Sequence, residues 1–184
     1  AGFASGLLGI GGGIIVVPAL VLVFSYFKLA PTLNMHLAAG TSLAAMIVTT
    51  FVALRSHAHD FGEIKKIARR MFLGAALGTF MGVLAADYLD SAVLKLVFGI
   101  LVLFVSLNMI FGVGWHAREG KFPGLWTSQF SSLIIGVISG LLGIGGSTLL
   151  IPYLHYFNYN LRKIITMSTA LGFFIALVGT TSMV

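Results

Sequence analysis

The chain has 184 residues, of which 58% are hydrophobic and only 9% charged, and its mean hydropathy is +1.04. A soluble domain of that size has too few polar side chains to cover so much apolar surface, so composition excludes one and places the chain in a bilayer. The net charge of +6 argues for no nucleic-acid partner, because the basic residues gather in the connections between apolar runs, as the positive-inside pattern of a membrane protein requires.

Uncharged runs cover residues 1–27, 29–54, 71–86, 96–117, 122–161 and 164–184. Most reach or exceed the roughly 20 residues that span a hydrocarbon core of about 30 Å. This predicts an all-α integral membrane bundle with about six spans, multi-pass in the cell membrane and in contact with the lipid bilayer. The first run lacks the basic leader of a signal peptide, and glycines interrupt it. The absence of cysteine removes disulfides and thiolate metal sites. Opening on Ala1 and closing at Val184 within an apolar run, the chain reads as part of a longer membrane protein.

Charge sets the expected orientation. Arg55, Lys65, Lys66, Arg69 and Arg70 follow the second run, whereas Asp87 and Asp90 follow the third with only Lys95 nearby, and Arg118 and Lys121 follow the fourth. Loops 55–70 and 114–124 are therefore expected to be cytoplasmic. If every run crosses once, Lys28 and the Arg162, Lys163 pair fall outside, against the rule. In the third run Gly74, Gly78 and Gly82 recur at spacing four, which predicts close helix packing.

The first run contains GLLGIGGG at residues 6–13, and the fifth repeats it as GLLGIGGS at 140–147. Aligning SGLLGIGGGIIVVPAL (5–20) with SGLLGIGGSTLLIPYL (139–154) gives ten identities in sixteen positions. A weaker match joins AGTSLA (39–44) to TMSTAL (166–171). The chain thus divides into a first repeat over 1–112, with about four spans, and a truncated second repeat over 113–184, with about two, each opening with a Gly-broken helix. Four spans per half predict parallel repeats. Were the Gly-rich segment a re-entrant hairpin, the count would be odd and the repeats inverted.

Length shows why a break is needed. Residues 122–161 form forty uncharged positions, which as one straight helix reach roughly 60 Å, about twice the hydrocarbon thickness. Helix propensity collapses at Gly9, Gly11, Gly12 and Gly13, and again at Gly143, Gly145 and Gly146. Pro18 and Pro152 add a second fault, read as structural hinges. Non-helical backbone at membrane depth persists only where protein or a water-filled cavity satisfies it, so the motif is expected to line a site. A new half-helix starting near Ile14 or Thr148 presents roughly half a positive charge at its N-terminus. Two such ends facing each other near the midplane would bind a small anion without a buried lysine or arginine. Thr41, Ser42, Ser147, Thr148, Ser168 and Thr169 add candidate hydroxyl donors.

These segments, each followed by a small-hydroxyl motif (GTS at 40–42, MST at 167–169), resemble the two signature repeats of the sulfite exporter TauE/SafE family. The resemblance covers essentially the whole chain. It implies a multi-span permease with two homologous halves, exporting sulfite or organosulfonates such as sulfoacetate. By position it carries Gly9, Gly11, Gly12, Gly13 and Pro18 onto the first motif, and Gly143, Gly145, Gly146 and Pro152 onto the second. Ser147 in place of the glycine at 13, and Met167 in place of the glycine at 40, depart from the symmetrical pattern.

Export of an anion needs no further coupling, since each charge leaving a negative interior gains roughly 2.3 kcal/mol per 100 mV. His36 and His155 lie near run ends and read as interfacial hydrogen-bonding groups rather than proton carriers. His57, His59 and Asp60 read as part of a solvated basic loop, not a metal site. Neither a dinucleotide fingerprint nor a phosphate-binding loop is present, because Ile14 stands where GxGxxG needs glycine and no GK pair precedes Ser or Thr. No acid pair or activated serine supports an intramembrane enzyme, and no cofactor is implied. An anion channel, or a transporter with a non-sulfur substrate, is the alternative.

Overall fold

The computed structural model describes residues 12–28, 33–56, 61–111, 124–157 and 161–183. Among them are seven helices: α1 (Gly13–Tyr26), α2 (Asn34–Ser56), α3 (Phe61–Asp87), α4 (Ser91–Phe111), α5 (Leu125–Leu142), α6 (Ser147–Tyr156) and α7 (Leu161–Ser182). Four of the described segments, Asn34–Ser56, Ala68–Asp87, Leu125–Leu142 and Arg162–Ser182, are long and apolar enough to cross a membrane. α1 is a shorter apolar helix, and so is the Ser91–Leu107 portion of α4. Leu96, Ile100, Leu103, Phe104 and Leu107 form an exposed stripe along α4, and Leu73, Leu77, Phe80, Met81 and Leu84 another along α3. Apolar stripes of that extent suit lipid, not water.

The basic stretch expected as a loop over 55–70 is mostly helix. α3 starts at Phe61 and α2 runs to Ser56, so Arg55, Lys65, Lys66, Arg69 and Arg70 are helical. Lys and Arg are good helix formers, and a helix continues past the bilayer surface when its residues favour it. The other basic connection, 114–124, lies outside the described residues except for Gly124, as do His57, His59 and Asp60.

The contact between α3 and α5 is the most extensive in the bundle. It is built from small residues, as the glycine stripe predicts. Gly74 faces Gln129 and Ser132, Gly78 faces Leu133, and Gly82 faces Val137 and Leu141. In return Gly136 and Gly140 of α5 lie on the backbone of Ala75 and Thr79. These pairs rise together along both helices, so α3 and α5 run parallel. Without a hydrophobic force between helices in lipid, such backbone approach is what dispersion contacts can exploit.

Pairings fix the other directions. On α2 and α7, Gly40 meets Met183, Leu43 meets Gly179, and Thr50 meets Gly172, an antiparallel order. α3 and α7 run parallel, with Phe72 on Phe174 and Thr79 on Gly179. α6 is joined to α7 by residues 157–160 and packs on it, which makes the two antiparallel. The chain therefore reverses between α5 and α6. Gly146 confirms it directly, since it lies against Ser139 and Ile135 of the helix it has just left. Within the forty-residue uncharged run the described residues turn back at the second motif, the re-entrant alternative among the expected ways to break it.

That reversal relocates charge. Arg162 and Lys163, at the start of α7, share one end of the bundle with Arg55 at the end of α2 and Arg69 and Arg70 at the start of α3. Asp87, Asp90 and Lys95 occupy the opposite end, with Lys28 beyond α1. Two apolar clusters divide the same way. Met71, Leu150, Leu154, Ile164 and Met167 form one toward the basic end, around α6. Val17, Met35, Ala86, Leu94 and Leu142 form the other toward the opposite end, around α1. The halves of the sequence do not fold as separate units, because α2 and α3 pack on α5 and α7.

A Cβ at Gly78 would collide with the Leu133 carbonyl, a backbone atom that cannot swing away, whereas one at Gly99 of α4 meets nothing within 4 Å. Gly78→Ala should therefore destabilise the protein by about 1–3 kcal/mol, and Gly99→Ala should be neutral or stabilise it by about 0.4–1 kcal/mol. Thermal unfolding in detergent checks both.

Candidate anion site at the facing helix breaks

The second break is described in full. α5 stops at Leu142 because Gly143 adopts φ 71°, and the Gly143 and Ile144 amides close on the Ser139 carbonyl at 2.9 and 3.3 Å. Gly145 and Gly146 are also left-handed, both at φ 73°. Three left-handed residues in four are affordable only for glycine. α6 then begins at Ser147, capped by the Gly146 carbonyl, which accepts the amides of Leu149 at 3.2 Å and Leu150 at 3.0 Å.

Of the first motif, Gly9 and Gly11 lie outside the described residues. Gly12 precedes α1, and its carbonyl accepts the amides of Ile15 at 3.1 Å and Val16 at 2.9 Å. A Cβ added at Gly13 would lie 2.5 Å from the Ile144 carbonyl oxygen. Only glycine lets the start of α1 rest on the backbone of the second motif, so the N-terminal end of α1 is in contact with the second break. From that contact α1 and α6 depart toward opposite ends, each within its own apolar cluster. Their positive dipole ends converge, each worth roughly half an elementary charge. Among the described residues, nothing lies within 4 Å of a Cβ placed at Gly12.

Neighbouring helices wall the contact. Gly143 lies on Ala39 of α2, and Gly145 on the Met46 side chain, whose Cε also stands 2.7 Å from a Cβ placed at Gly13. From α7, Gly172 approaches the Gly145 carbonyl, and Ile175 meets Gly146. Met46 thus fills the space between the two motifs.

The hydroxyls expected at the site separate into two groups. Thr41 is exposed on α2 and its hydroxyl donates to the Leu37 carbonyl of its own helix. Ser168 and Thr169 both donate to the Ile165 carbonyl, at 2.9 and 2.8 Å. A hydroxyl has one proton to donate, so these three have none left for an anion. Ser42 is fully buried, and its Oγ meets no partner among the described residues. Ser147 opens α6, half-buried, with its amide on the Gly145 carbonyl at 2.9 Å. Helix geometry explains the split at 41 and 42, since successive residues point about 100° apart.

Ser139, Ala39 and Met46 were not expected at the site. Ser139 is 1% exposed, its Oγ is unpartnered among the described residues, and a Cβ at Gly146 would lie 3.4 Å from it. The signal for the α2 residues was present, as Ala39, Ser42, Leu43 and Met46 recur at the spacing of one helix face. Pro18 and Pro152 are each the sixth residue of their half-helix, and both helices continue through them, to Tyr26 and Tyr156. At 143–146 the glycines, not Pro152, end the helix. His36 bonds Ser91 Oγ at 3.3 Å and the Ala86 carbonyl at 2.9 Å, tying α2 to the α3–α4 turn. No group of three or more His, Asp or Glu among the described residues is placed to hold a metal.

Gly13→Ala should cost about 1–3 kcal/mol by forcing the breaks apart. Gly12→Ala, at φ −63° with open space beside it, should be neutral or gain about 0.4–1 kcal/mol. Denaturant or thermal unfolding of the two variants decides between them.

The family described as sulfite exporter TauE/SafE matches the chain over residues 1–184. A probable membrane transporter protein of Haemophilus influenzae is 29% identical over 180 residues, covering 97% of this chain and 68% of that protein. Another, from Methanocaldococcus jannaschii, is 31% identical over 178 residues, covering 91% and 62%. One from Xylella fastidiosa is 34% identical over 157 residues, covering 83% and 58%. This chain therefore spans between 58% and 68% of the length of these relatives. No solved structure matches it. The chain belongs to the sulfite exporter TauE/SafE family.

Proposed function

We propose, with that family membership as premise, that this chain forms the substrate-binding part of a permease exporting small anions, sulfite or organosulfonates. The anion binds between the two Gly-rich breaks at mid-bilayer. The observation carrying this reading is the contact of Gly13 with the Ile144 backbone, which brings the N-termini of α1 and α6 toward each other with the Met46 side chain beside both. Uncovered amides and two converging dipoles supply positive potential without a buried cation. The segments holding the breaks, 1–27 and 122–161, contain no lysine or arginine.

Topology supports the same reading. α1 and α6 run oppositely, and so do α2 and α7, which are the segments joined by the internal sequence match. The two halves are accordingly inverted repeats, with the binding site at their interface, as in many secondary transporters. The end carrying Arg55, Arg69, Arg70, Arg162 and Lys163 is cytoplasmic in the plasma membrane. Export down the membrane potential then drives accumulation outside by close to fiftyfold per 100 mV for a monovalent anion. Met46, wedged between the breaks, must move for an anion to enter.

Flux of labelled sulfite and sulfoacetate from liposomes holding the intact protein tests this. Saturable flux that Gly12→Leu abolishes, while the variant remains folded, is the expected result. Folding should survive because Gly12 faces open space. Flux that rises linearly without saturation would mean a channel. Flux untouched by Gly12→Leu would remove the breaks from the pathway.

A further inference from the structure

We infer that the second break is a monoanion-selective site whose hydroxyl donors are Ser139 and Ser42, an assignment that rests on the anion-transport reading above. Most serine and threonine hydroxyls in these helices donate to a carbonyl three or four residues back. Thr50, Thr79, Ser132, Thr166 and Ser182 all do so. Ser42, Ser139 and Thr180 are the serine and threonine side chains that are buried without a partner among the described residues. A buried hydroxyl left unpaired is costly, which marks such a group as held for a ligand or water. Thr180 neighbours Gly179, which meets Leu43 of α2, so it stands at about the level of Ser42. Ser139 and Ser42 lie on helices packed against the 143–146 turn. Ser139 approaches Gly146, the residue that caps α6, from α5. Ser42 stands on the α2 face that Ala39 and Met46 present to Gly143 and Gly145. Next to them the amides of Gly145 and Gly146 meet no acceptor among the described residues. Ser139 beside Gly146 and two amides thus stand at the start of a ten-residue helix, with Ser42 on the α2 face packed against the same turn.

Charge selectivity follows from what supplies the positive potential. The cost of desolvating an ion grows as the square of its charge, while attraction to fixed dipoles grows only in proportion. A site made of hydroxyls, amides and a helix end holds a monoanion well. It holds a dianion poorly, because no lysine or arginine lies in the break segments to offset the second charge. The preferred species are a sulfonate or bisulfite, rather than sulfite dianion or sulfate. Of the titratable groups on the helices at the turn, Tyr153 lies on α6, beyond Ser147, and His36 lies one helical turn before Ala39 with its ring nitrogens engaged by Ser91 and Ala86. Asp87 and Asp90 lie at the same end of the bundle.

The test compares methanesulfonate, a monoanion throughout, with sulfite in liposomes of the intact protein, at equal pH on both sides. Above the pKa of bisulfite, flux per total sulfite should fall about tenfold per pH unit, and methanesulfonate flux should not. Any titration of the protein itself, His36 included, would move both. Ser139→Ala and Ser42→Ala should each weaken the apparent affinity for methanesulfonate about tenfold or more. Ser139→Cys, similar in volume with a weaker donor, should fall between, and Thr49→Ala, on an exposed hydroxyl bonded to its own helix, should match the unsubstituted protein. Sulfite flux independent of pH, or sulfate carried as well as methanesulfonate, overturns monoanion selectivity while leaving anion transport standing. Serine variants indistinguishable from Thr49→Ala overturn the donor assignment. Absence of flux for every anion refutes the transport reading, and this inference with it.

Discussion

Everything in this bundle answers one constraint, that backbone amides and carbonyls freed from a helix inside hydrocarbon must be satisfied by protein, water or ligand. The chain breaks a helix at Gly143 to Gly146 and satisfies much of the break locally. Ser139 accepts two amides, Gly146 accepts two more, and Gly145 accepts that of Ser147. Packing encloses the rest, with α2 on one side and α7 on the other. The first motif rests on the second through Gly13, so each break helps bury the other. Such cover suits two segments of matching sequence that lie far apart in the chain and close in space.

The hairpin at the second motif also resolves an inconsistency of charge. With a single crossing, Arg162 and Lys163 stand on the side opposite Arg55 and Arg69. With the chain reversed they join them, leaving Lys28 and Lys95 as the basic residues at the far end among the described residues. Charge placement and backbone geometry therefore agree on the same topology, although each was obtained from different residues. The reversal also sends α6 and α1 into opposite halves of the bundle, where separate apolar clusters receive them.

How much of this could be read in the sequence depended on whether a signal was local. Apolar runs, the glycine stripe of α3 and the collapse of helix propensity at 143–146 are local, and the helices, the α3–α5 contact and the break lie where they indicate. Direction after the break was not legible, because a left-handed glycine turn and a kink share one composition. Which hydroxyls are free of the backbone was legible only in part, because adjacent helical residues such as Thr41 and Ser42 point about 100° apart and differ in burial. The proximity of Ser139 to Gly146 is not local in sequence, since it arises from the chain folding back seven residues later.

The central claim is that the contact between the breaks is an anion site reached from either side of the membrane. The chain's lack of cysteine makes a single thiol at Gly12→Cys an unambiguous probe of the open space there. A membrane-impermeant, sulfonate-bearing thiol reagent should modify that cysteine when applied from either face, and added methanesulfonate should slow the reaction from both. A thiol inert from both faces, or one whose modification methanesulfonate leaves unchanged, would contradict the account.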